Sequence, residues 1–165
     1  VILTAARSGE VRGATWSEID LDTKVWTVPA NRMKGNREHR VPLSPDAVAL
    51  LKALPRIKDN DFAFPAPRGG VLSDMTLTAV LRRMEIDAVP HGFRSTFRDW
   101  AAERTNYPNH VCEMALAHAV GNAVEAAYRR GDLFDKRRRL MNDWAVFLNN
   151  VETAGAVIPL NRAQG

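Results

Sequence analysis

Two stretches near the start of the chain alternate between apolar and polar residues, as half-buried β-strands do. The first is residues 24–28 (KVWTV), and the second is residues 39–43 (HRVPL), whose proline suits an edge strand. Residues 30–38 between them are polar and contain a glycine, which is the composition of a turn. The pattern therefore predicts a β-hairpin. Its tip is expected to carry three basic residues, Arg32, Lys34 and Arg37.

From Ser44 onward, apolar residues recur at intervals of three and four, which is typical of amphipathic helices. Ser44 followed by Pro45 predicts a helix start, because serine caps free N–H groups and proline suits the first helical position. Ser8 is likewise expected to cap a short helix, and Ser73 or Asp74 a later helix that runs to about residue 84. The helices at Ser8 and Ser44 are predicted over residues 8–14 and 47–54, and further helices over residues 92–104, 109–117, 123–130 and 135–149.

These elements predict a mainly α-helical fold with a small antiparallel β-sheet near its N-terminus. A length of 165 residues fits one domain, which we expect to span residues 1–150. Residues 151–165 lack periodicity and are expected to form a flexible tail. Because the chain opens inside an apolar stretch, at Val1, rather than with a methionine, we expect it to be part of a longer protein.

Composition narrows the classes of function. The formal charge of +4 and the pI near 9.6 favour a polyanionic partner, although many basic proteins bind no nucleic acid. No apolar run is long enough to span a membrane and no signal-peptide pattern is present, which predicts a cytoplasmic protein. The single cysteine, Cys112, lies in an apolar helical pattern that predicts a buried structural thiol. With four scattered histidines, no zinc site or cofactor is expected.

Two arginines occur at predicted helix starts, where backbone N–H groups favour an anion. Arg7 directly precedes one helix, and Arg94 follows His91 by three residues at the start of another, which places both of these side chains on one side of it. Guanidinium groups offer a planar fork that fits phosphate oxygens, so two converging arginines would clamp a phosphate. Taken singly, each arginine is better interpreted as a solvated surface charge.

His118, Tyr128 and Lys34 are also ordinary when they are considered one at a time. His118 follows an apolar helical segment, where histidine commonly ends a helix. Tyr128 lies in an alanine-rich helical segment, where a tyrosine usually packs its ring and leaves its hydroxyl at the surface. Lys34, at a hairpin tip, is by default solvated. Tyr107 precedes a proline that marks a turn, and no role is predicted for it.

The order of these residues changes the interpretation. An arginine, a lysine, HxxR, a histidine and a tyrosine follow one another, and this order resembles the signature of the tyrosine recombinases. The first box of that family resembles ARSGEVRGATWSEID, and its hairpin resembles MKGNREHRVPLS. Its central helix resembles HGFRSTFRDWAAE, and its tyrosine box resembles ALAHAVGNAVEAAY. The satellite-phage and genomic-island integrases are similar to this chain at RRLMNDWAVFL. The resemblance covers about residues 1–148. The matched positions are Arg7, Lys34, His91, Arg94, His118 and Tyr128.

Some positions depart from the family pattern. Ala117 stands where the tyrosine box has a glycine, and Met33 stands where the hairpin has its first glycine. Arg37 replaces a common lysine, which leaves Lys34 as the better match for the catalytic lysine. The DNA-clasping domain that precedes the catalytic domain in the family has no counterpart in this sequence, so we expect an N-terminally truncated catalytic domain.

The resemblance implies a mechanism. Tyr128 attacks the scissile phosphodiester and forms a 3′-phosphotyrosyl link, with His91 as its base, because a phenol with a pKa of about 10 ionises little at neutral pH. Arg7 and Arg94 are implied to hold the non-bridging oxygens, and His118 to add a hydrogen bond to the phosphate.

Lys34 is implied to protonate the leaving 5′ oxygen, for which a hairpin tip that enters the DNA groove is suited. The two arginines take the electrostatic role of a metal, so neither a metal nor ATP is required. The implied partners are double-stranded DNA with recombination sites, further copies of the chain in a synaptic tetramer, and a directionality factor; the fragment alone is expected as a monomer. These partners imply a nucleoid-associated bacterial protein.

Several other basic residues are predicted to follow the DNA backbone. They are Arg12, Arg32, Arg37, Arg40, Arg82, Arg83, Arg129 and Arg130. The run at residues 136–139 (KRRR) fits this role. It fits a solvated helix face, or a contact with a neighbouring subunit, about as well.

Three other interpretations compete with an integrase. A type IB topoisomerase shares the chemistry but relaxes supercoils without a partner site. A non-catalytic DNA-binding module, such as a decayed integrase, would keep the fold without the reaction, but every catalytic position is filled here. A basic helical protein without a DNA role predicts no salt-dependent DNA binding. The integrase interpretation accounts for most of the chain.

Overall fold

A computed structural model of the chain describes residues 1–118 and 131–150. Three strands, β1 (Ile19–Asp20), β2 (Val25–Val28) and β3 (His39–Pro42), lie in these ranges. The helices there are α1 (Ser8–Arg12), α2 (Pro45–Ala53), α3 (Thr76–Arg83), α4 (Gly92–Arg104), α5 (Asn109–Ala115) and α6 (Phe134–Asn149), with 3-10 turns at Ile2–Thr4, Trp16–Glu18 and Ala30–Arg32. The predicted mainly helical class with a small antiparallel sheet is confirmed. The helix predicted over residues 123–130 and the tail predicted over 151–165 lie outside the described residues.

The strands form one antiparallel sheet in the order β1-β2-β3. Trp26 lies opposite Val41 and Val28 opposite His39 in the β2–β3 ladder. Trp26, Val28 and Val41 are buried, as the alternating pattern predicts, so one face of the hairpin packs into the core. β3 is an edge strand, which accommodates Pro42 because its missing N–H costs no ladder hydrogen bond. β1 was not predicted, because two residues are too few to show alternation.

Two hydrophobic clusters hold the fold together. One lies under the sheet and α2 and includes Trp26 and Val28. The other joins α4, α5 and α6, where the rings of Phe97 and Trp144 meet edge to face with centroids 5.4 Å apart. The indole N–H of Trp144 donates to the carbonyl of Ile2 at 2.9 Å, which fixes the last described helix to the start of the chain. No described helix is long and apolar enough to cross a membrane.

Side-chain caps explain where some helices begin. Ser44 caps α2 as predicted, because its hydroxyl accepts the N–H of Ala47 at 3.3 Å. The prediction that Ser8 caps α1 is wrong, since Arg7 is the N-cap. The carboxylate of Glu10 accepts the backbone N–H of Arg7 at 2.8 Å, and this bond places the helix start one residue earlier.

The predicted cap of α3 is also wrong. Met75 is the N-cap, and neither Ser73 nor Asp74 caps the helix. The carbonyl of Ser73 accepts the backbone N–H of Thr76 at 3.1 Å, and the hydroxyls of Ser73 and Thr76 are 3.1 Å apart. The serine is therefore part of a turn that precedes the helix.

A buried arginine on α6 connects that helix to the edge strand of the sheet. Arg137 is 1% exposed, and its guanidinium donates to the carbonyl of Asp132 at 2.7 Å, the carboxylate of Asp132 at 2.6 Å and the carbonyl of Arg40 at 2.6 Å. The Arg40 side chain donates to the same carboxylate at 2.8 and 3.0 Å. Burial raises the pKa of Asp132, but the two arginines outweigh it and lower the pKa below its usual range. We call Arg40, Asp132 and Arg137 the Asp132 cluster.

His39 is half-buried on the inward face of β3, where its ring donates to the carbonyl of Ala115 at the end of α5. Burial lowers the pKa of His39 to about 4, and the positive charges of Arg137 and Arg7 act in the same direction. The charge of Glu10 and the hydrogen bond to Ala115 oppose this shift without cancelling it. The ring is therefore neutral at neutral pH.

We predict that Arg137→Met lowers the free energy of unfolding by about 2–3 kcal/mol, because it leaves two carbonyls and a carboxylate without their buried donor. Urea denaturation at pH 7 measures this change. The control is Lys136→Met, which replaces an exposed cation on the same helix and should change stability by less than about 0.5 kcal/mol. Equal stability of the two variants would contradict a structural role for the Asp132 cluster.

We also predict that the chain loses stability as the pH falls from about 6.5 towards 4. In this window the unfolded histidine takes up a proton and folded His39 does not, so the unfolded state is favoured. The loss between pH 7 and 4.5 should be about 2 kcal/mol larger than in His39→Gln, as measured by urea denaturation at both values. His91→Gln, at an exposed histidine, should keep the full loss. If His39→Gln kept it as well, the burial of a neutral His39 would be disproved.

Candidate active site

Arg94 is the most buried of the predicted catalytic residues that the structure describes, at 4% exposure in the first turn of α4. Its guanidinium donates to the carbonyl of Ala5 and, at 2.7 Å, to the carbonyl of Leu116. Burial and then the charge of Arg7 lower the pKa of Arg94 to about 10, against the opposing effect of Glu10, so the group stays charged at neutral pH. Burying this charge is tolerated because both carbonyls accept its N–H groups.

Arg7 lies at the N-cap of α1, against a buried carboxylate. Glu10 is 4% exposed and accepts both the backbone N–H and the Nη1 of Arg7, each at 2.8 Å. The Nη2 of Arg7 lies 3.5 Å from the carbonyl of Ala117. Because the Arg7 side chain is still 26% exposed, its guanidinium is held in place and yet reaches solvent. Such a group can bind an anion with little rearrangement.

The turn after α5 supplies backbone carbonyls to both arginines. α5 ends at Ala115, two residues before the predicted end, because Ala117 adopts a left-handed conformation with φ of 51°. The N–H of Ala117 bonds to the carbonyl of Met114 at 3.1 Å, which closes the turn. This conformation favours glycine and costs an alanine roughly 1 kcal/mol. It explains why the tyrosine box of the recombinases, which the sequence resembles, has a glycine there.

His118 follows this turn and has a partner on each ring nitrogen. Its Nδ1 lies 2.7 Å from the Oε2 of Glu113, and its Nε2 lies 3.3 Å from the Nη2 of Arg94. Arg98 donates to the other oxygen of Glu113 at 2.5 Å. Burial raises the pKa of Glu113, but the hydrogen bonds from His118 and Arg98 outweigh it and lower the pKa below its usual range. The carboxylate beside His118 is therefore charged at neutral pH.

Three predicted catalytic residues thus meet at one turn, although they come from distant parts of the sequence. Arg7 and Arg94 contribute two permanent charges, and His118, 42% exposed, contributes an imidazole edge. Glu10 binds Arg7 through its Nη1, and Glu113 binds His118 through its Nδ1, so neither carboxylate is bound to Nη2 of Arg7 or Nε2 of His118. This arrangement suits a phosphate, whose oxygens accept hydrogen bonds from a guanidinium fork.

The other predicted catalytic residues are not part of this group in the structure. His91 is the exposed N-cap of α4, one turn from buried Arg94, and Lys34 is exposed in the turn that follows the 3-10 segment. Within residues 1–118 and 131–150, neither side chain has a hydrogen-bond or ion-pair partner. Tyr128 lies outside the described residues. Their roles stay predictions.

The arginines predicted to follow a DNA backbone differ in environment. Arg37, Arg82 and Arg83 are exposed. Arg40 is also exposed, but its side chain forms an ion pair with Asp132 at 2.8 Å. Arg129 and Arg130 lie outside the described residues. In the run at residues 136–139, Arg137 is buried and so is not part of a solvated helix face.

Arg12 and Arg32 are both bound within the chain. Arg12 donates to the carbonyl of Leu72 at 2.6 Å and so fixes the long loop that precedes α3. The prediction that Arg32 lies at the hairpin tip is wrong, because it ends a 3-10 turn and folds back. Its guanidinium donates to the carboxylate of Glu18 and the carbonyl of Glu10, and this charge pairing stabilises the folded-back position.

Sequence reasoning missed the acidic residues and the histidine around the site. Glu10 could have been found, because it follows Arg7 by three residues, the spacing of a capping box. His39 occupies an inward position of a predicted strand, which is an unusual place for a histidine. Glu113 precedes His118 by five residues, and no regular helical spacing connects them. Only the left-handed turn at Ala117 brings these two side chains together.

Comparison with known proteins places these residues in a family. The chain matches the family described as the Phage integrase family over residues 1–133. It is similar to prophage integrase IntA of Escherichia coli strain K12, at 36% identity over 162 residues, covering 95% of this chain and 39% of that protein. The integrase of Enterobacteria phage P4 is 35% identical over 168 residues, covering 90% of this chain and 38% of that protein. The chain thus spans about two fifths of the length of these relatives.

Solved structures share the fold at lower identity. The integrase from mycobacterium phage Brujita has a TM-score of 0.65 and 20% identity, covering 86% of this chain and 47% of that chain. XerA recombinase has a TM-score of 0.59 and 20% identity, covering 85% and 52%. The Tn1549 transposon integrase, solved in complex with circular intermediate DNA, has a TM-score of 0.50 and 16% identity, covering 78% and 55%. Because the family match runs through every residue of the converging group, from Arg7 to beyond His118, the chain belongs to the phage integrase family.

Proposed function

We propose that this chain catalyses the cleavage and rejoining steps of site-specific DNA recombination, as in the integration and excision of a prophage or genomic island. The observation that carries the proposal is the convergence of Arg7, Arg94 and His118 at the turn after α5. Membership of the phage integrase family supports it. Double-stranded DNA is the proposed substrate, and the circular intermediate DNA in the Tn1549 integrase complex supports DNA as the partner. Residues 1–150 are the proposed catalytic unit.

In this proposal the two arginines hold the scissile phosphate. Arg7 is oriented by Glu10 and Arg94 by two backbone carbonyls, so their N–H groups need little rearrangement when negative charge develops on the phosphoryl oxygens. His118 contributes a further hydrogen bond to the same phosphate. The arginines bind the non-bridging oxygens and thereby leave the line of attack on phosphorus open.

The reaction then proceeds by an in-line displacement. The phenolic oxygen of Tyr128 attacks phosphorus and the bond to the 5′ oxygen breaks, which forms a 3′-phosphotyrosyl link. His91 takes the phenolic proton, and Lys34 gives a proton to the leaving 5′ oxygen. A 5′-hydroxyl from the partner duplex attacks the phosphotyrosine in the reverse sense. One phosphodiester replaces another, so the reaction needs no external energy source.

The proposal extends to the assembly. Exchange between two duplexes requires four strand cleavages, which assigns one chain to each cleavage and makes a tetramer the active complex. A separate directionality factor sets the balance between integration and excision. The exposed Arg37, Arg82 and Arg83 bind the DNA backbone, together with Arg129 and Arg130. A substrate of this kind locates the protein with bacterial DNA.

We predict that Tyr128→Phe abolishes covalent DNA adducts and changes duplex binding by less than about twofold, because the nucleophilic oxygen is lost and no charge is removed. Adducts are measured on denaturing gels with a nicked duplex that carries the attachment site. The matched control is Tyr107→Phe, since the hydroxyl of Tyr107 bonds to Asp143 at 2.7 Å and has no part in the proposal. Adduct formation by Tyr128→Phe at the parent level would disprove the assignment of the nucleophile.

For Arg7→Lys we predict a fall in the cleavage rate by about 10²–10³-fold, because the charge remains but the fork that binds two oxygens is lost. Duplex affinity should change by less than about threefold, and the lysine can still pair with Glu10. Single-turnover cleavage and a binding titration give the two quantities. Arg82→Lys, an exchange at an exposed arginine on α3, is the control and should cleave normally. A normal rate for Arg7→Lys would show that Arg7 does not hold the phosphate.

A further inference from the structure

The contacts of His118 determine which of its ring nitrogens carries the proton. Its Nδ1 lies 2.7 Å from a carboxylate oxygen of Glu113, which can only accept a hydrogen bond. Its Nε2 lies 3.3 Å from the Nη2 of Arg94, and a guanidinium can only donate. Both contacts are hydrogen bonds when the ring is neutral, with its proton on Nδ1 and a lone pair on Nε2. The nitrogen that faces the converging arginines is thus the one without a proton.

The two arginines can donate to a phosphate, but His118 with its proton on Nδ1 cannot donate to it from Nε2. A bound phosphate oxygen is an acceptor, and a lone pair on Nε2 would be directed towards it. Glu113 prevents the simple remedy, a switch of the proton from Nδ1 to Nε2, because that switch would set a lone pair against a carboxylate. The remaining way to form the hydrogen bond is protonation of Nε2, which gives an imidazolium between a carboxylate and a phosphate.

Arg98 keeps the carboxylate in this position. Its Nε donates to Oε1 of Glu113 at 2.5 Å, and its Nη2 donates to the side-chain oxygen of Asn109. Glu113 thus has one oxygen for Arg98 on α4 and the other for His118 after α5. The carboxylate is 21% exposed, so its interaction with the imidazole is only partly screened by solvent.

We propose that Glu113 is a positioning residue that holds His118 with its proton on Nδ1, so that binding of a DNA phosphate is coupled to uptake of one proton at Nε2. The inference rests on the proposed function for the identity of the anion. The proton comes from solvent, Nε2–H then donates to a non-bridging oxygen, and no bond of the DNA changes in this step. The contact that the phosphate replaces, from Arg94 at 3.3 Å, is longer than a usual hydrogen bond.

The charges around His118 explain why uptake accompanies binding. Glu113 on α5 favours the imidazolium, whereas Arg94 and Arg98 on α4 and Arg7 before α1 oppose it. Glu10 is bound to Arg7 and offsets part of its charge. A phosphate between the arginines adds negative charge next to Nε2 and thereby shifts the balance towards the imidazolium.

The first test needs neither DNA nor activity. Nitrogen NMR of the full 165-residue chain, with labelled histidine, reads the tautomer of His118 directly. We expect Nδ1–H in the neutral ring of the parent, and a mixture of Nδ1–H and Nε2–H in Glu113→Gln, because an amide can donate as well as accept a hydrogen bond. Glu103→Gln removes an exposed carboxylate from α4 and should keep the tautomer of the parent. A proton on Nε2 in the parent, or an unchanged tautomer in Glu113→Gln, would overturn the inference whatever the chain does to DNA.

The second test measures the coupling. Calorimetric binding of an attachment-site duplex at pH 8, in buffers of different ionisation heat, gives the number of protons taken up. We expect about one more proton for the parent than for His118→Asn, and cleavage by Glu113→Gln about tenfold slower than the parent at pH 8 but restored at lower pH. Restoration by acid distinguishes a positioning role from a merely structural one. Equal uptake in the parent and His118→Asn, or a defect in Glu113→Gln that acid does not restore, would contradict the coupling.

The two proposals fail in distinguishable ways. In one case, NMR shows the expected tautomer and calorimetry shows proton uptake on duplex binding, but neither the parent nor any variant forms a covalent adduct. The recombinase reaction is then wrong and the anion site stands. If adducts form at Tyr128 while the neutral His118 carries its proton on Nε2, the reaction stands and the role of Glu113 is wrong.

Discussion

The buried guanidinium of Arg94 is the constraint on which the site depends. Its two backbone acceptors, the carbonyls of Ala5 and Leu116, lie two residues before Arg7 and two residues before His118 respectively. One side chain of α4 therefore fixes the positions of the other two members of the group. Since an unpaired buried guanidinium would be severely destabilising, both chain segments must return to it, and this requirement orders the site before any substrate binds.

Carboxylates bind two members of the group, Arg7 and His118. Glu10 binds the Nη1 of Arg7 and Glu113 binds the Nδ1 of His118, and each carboxylate thereby orients its partner. The acids lower the cost of gathering positive charge in one place and leave N–H groups for an anion. The Asp132 cluster serves the scaffold in a different way, since it joins β3, the strand that follows the Lys34 turn, to the chain that leads into α6.

Much of the fold follows from local chemistry in the sequence. Alternation predicted the hairpin, and Ser44 with Pro45 predicted the start of α2. Apolar residues at intervals of three and four predicted a helix over residues 92–104, which is the range of α4. The wrong predictions include those at Ser8, Ser73 and Arg32. In each, a contact with another side chain or a preceding turn outweighs the local preference of the residue.

The site was predictable only in part, for a physical reason. The order of residues along the chain identified Arg7, Arg94 and His118, but it contains no information on which nitrogen donates to which acceptor. Glu113 meets His118 because Ala117 adopts a left-handed conformation that alanine normally avoids. His39 on β3 meets Ala115 at the end of α5, which lies far from it along the sequence. The first contact depends on a local turn conformation that alanine does not predict, and the second on tertiary packing, which no sequence spacing encodes.

The central claim is that the Arg94-centred group is a phosphate site. The most direct measurement is a crystal structure of the Tyr128→Phe chain bound to a duplex that carries its attachment site. The account predicts one DNA phosphate within about 2.7–3.1 Å of the side-chain nitrogens of Arg7, Arg94 and His118. A duplex bound on another face, with these three residues still paired only to the protein, would contradict it.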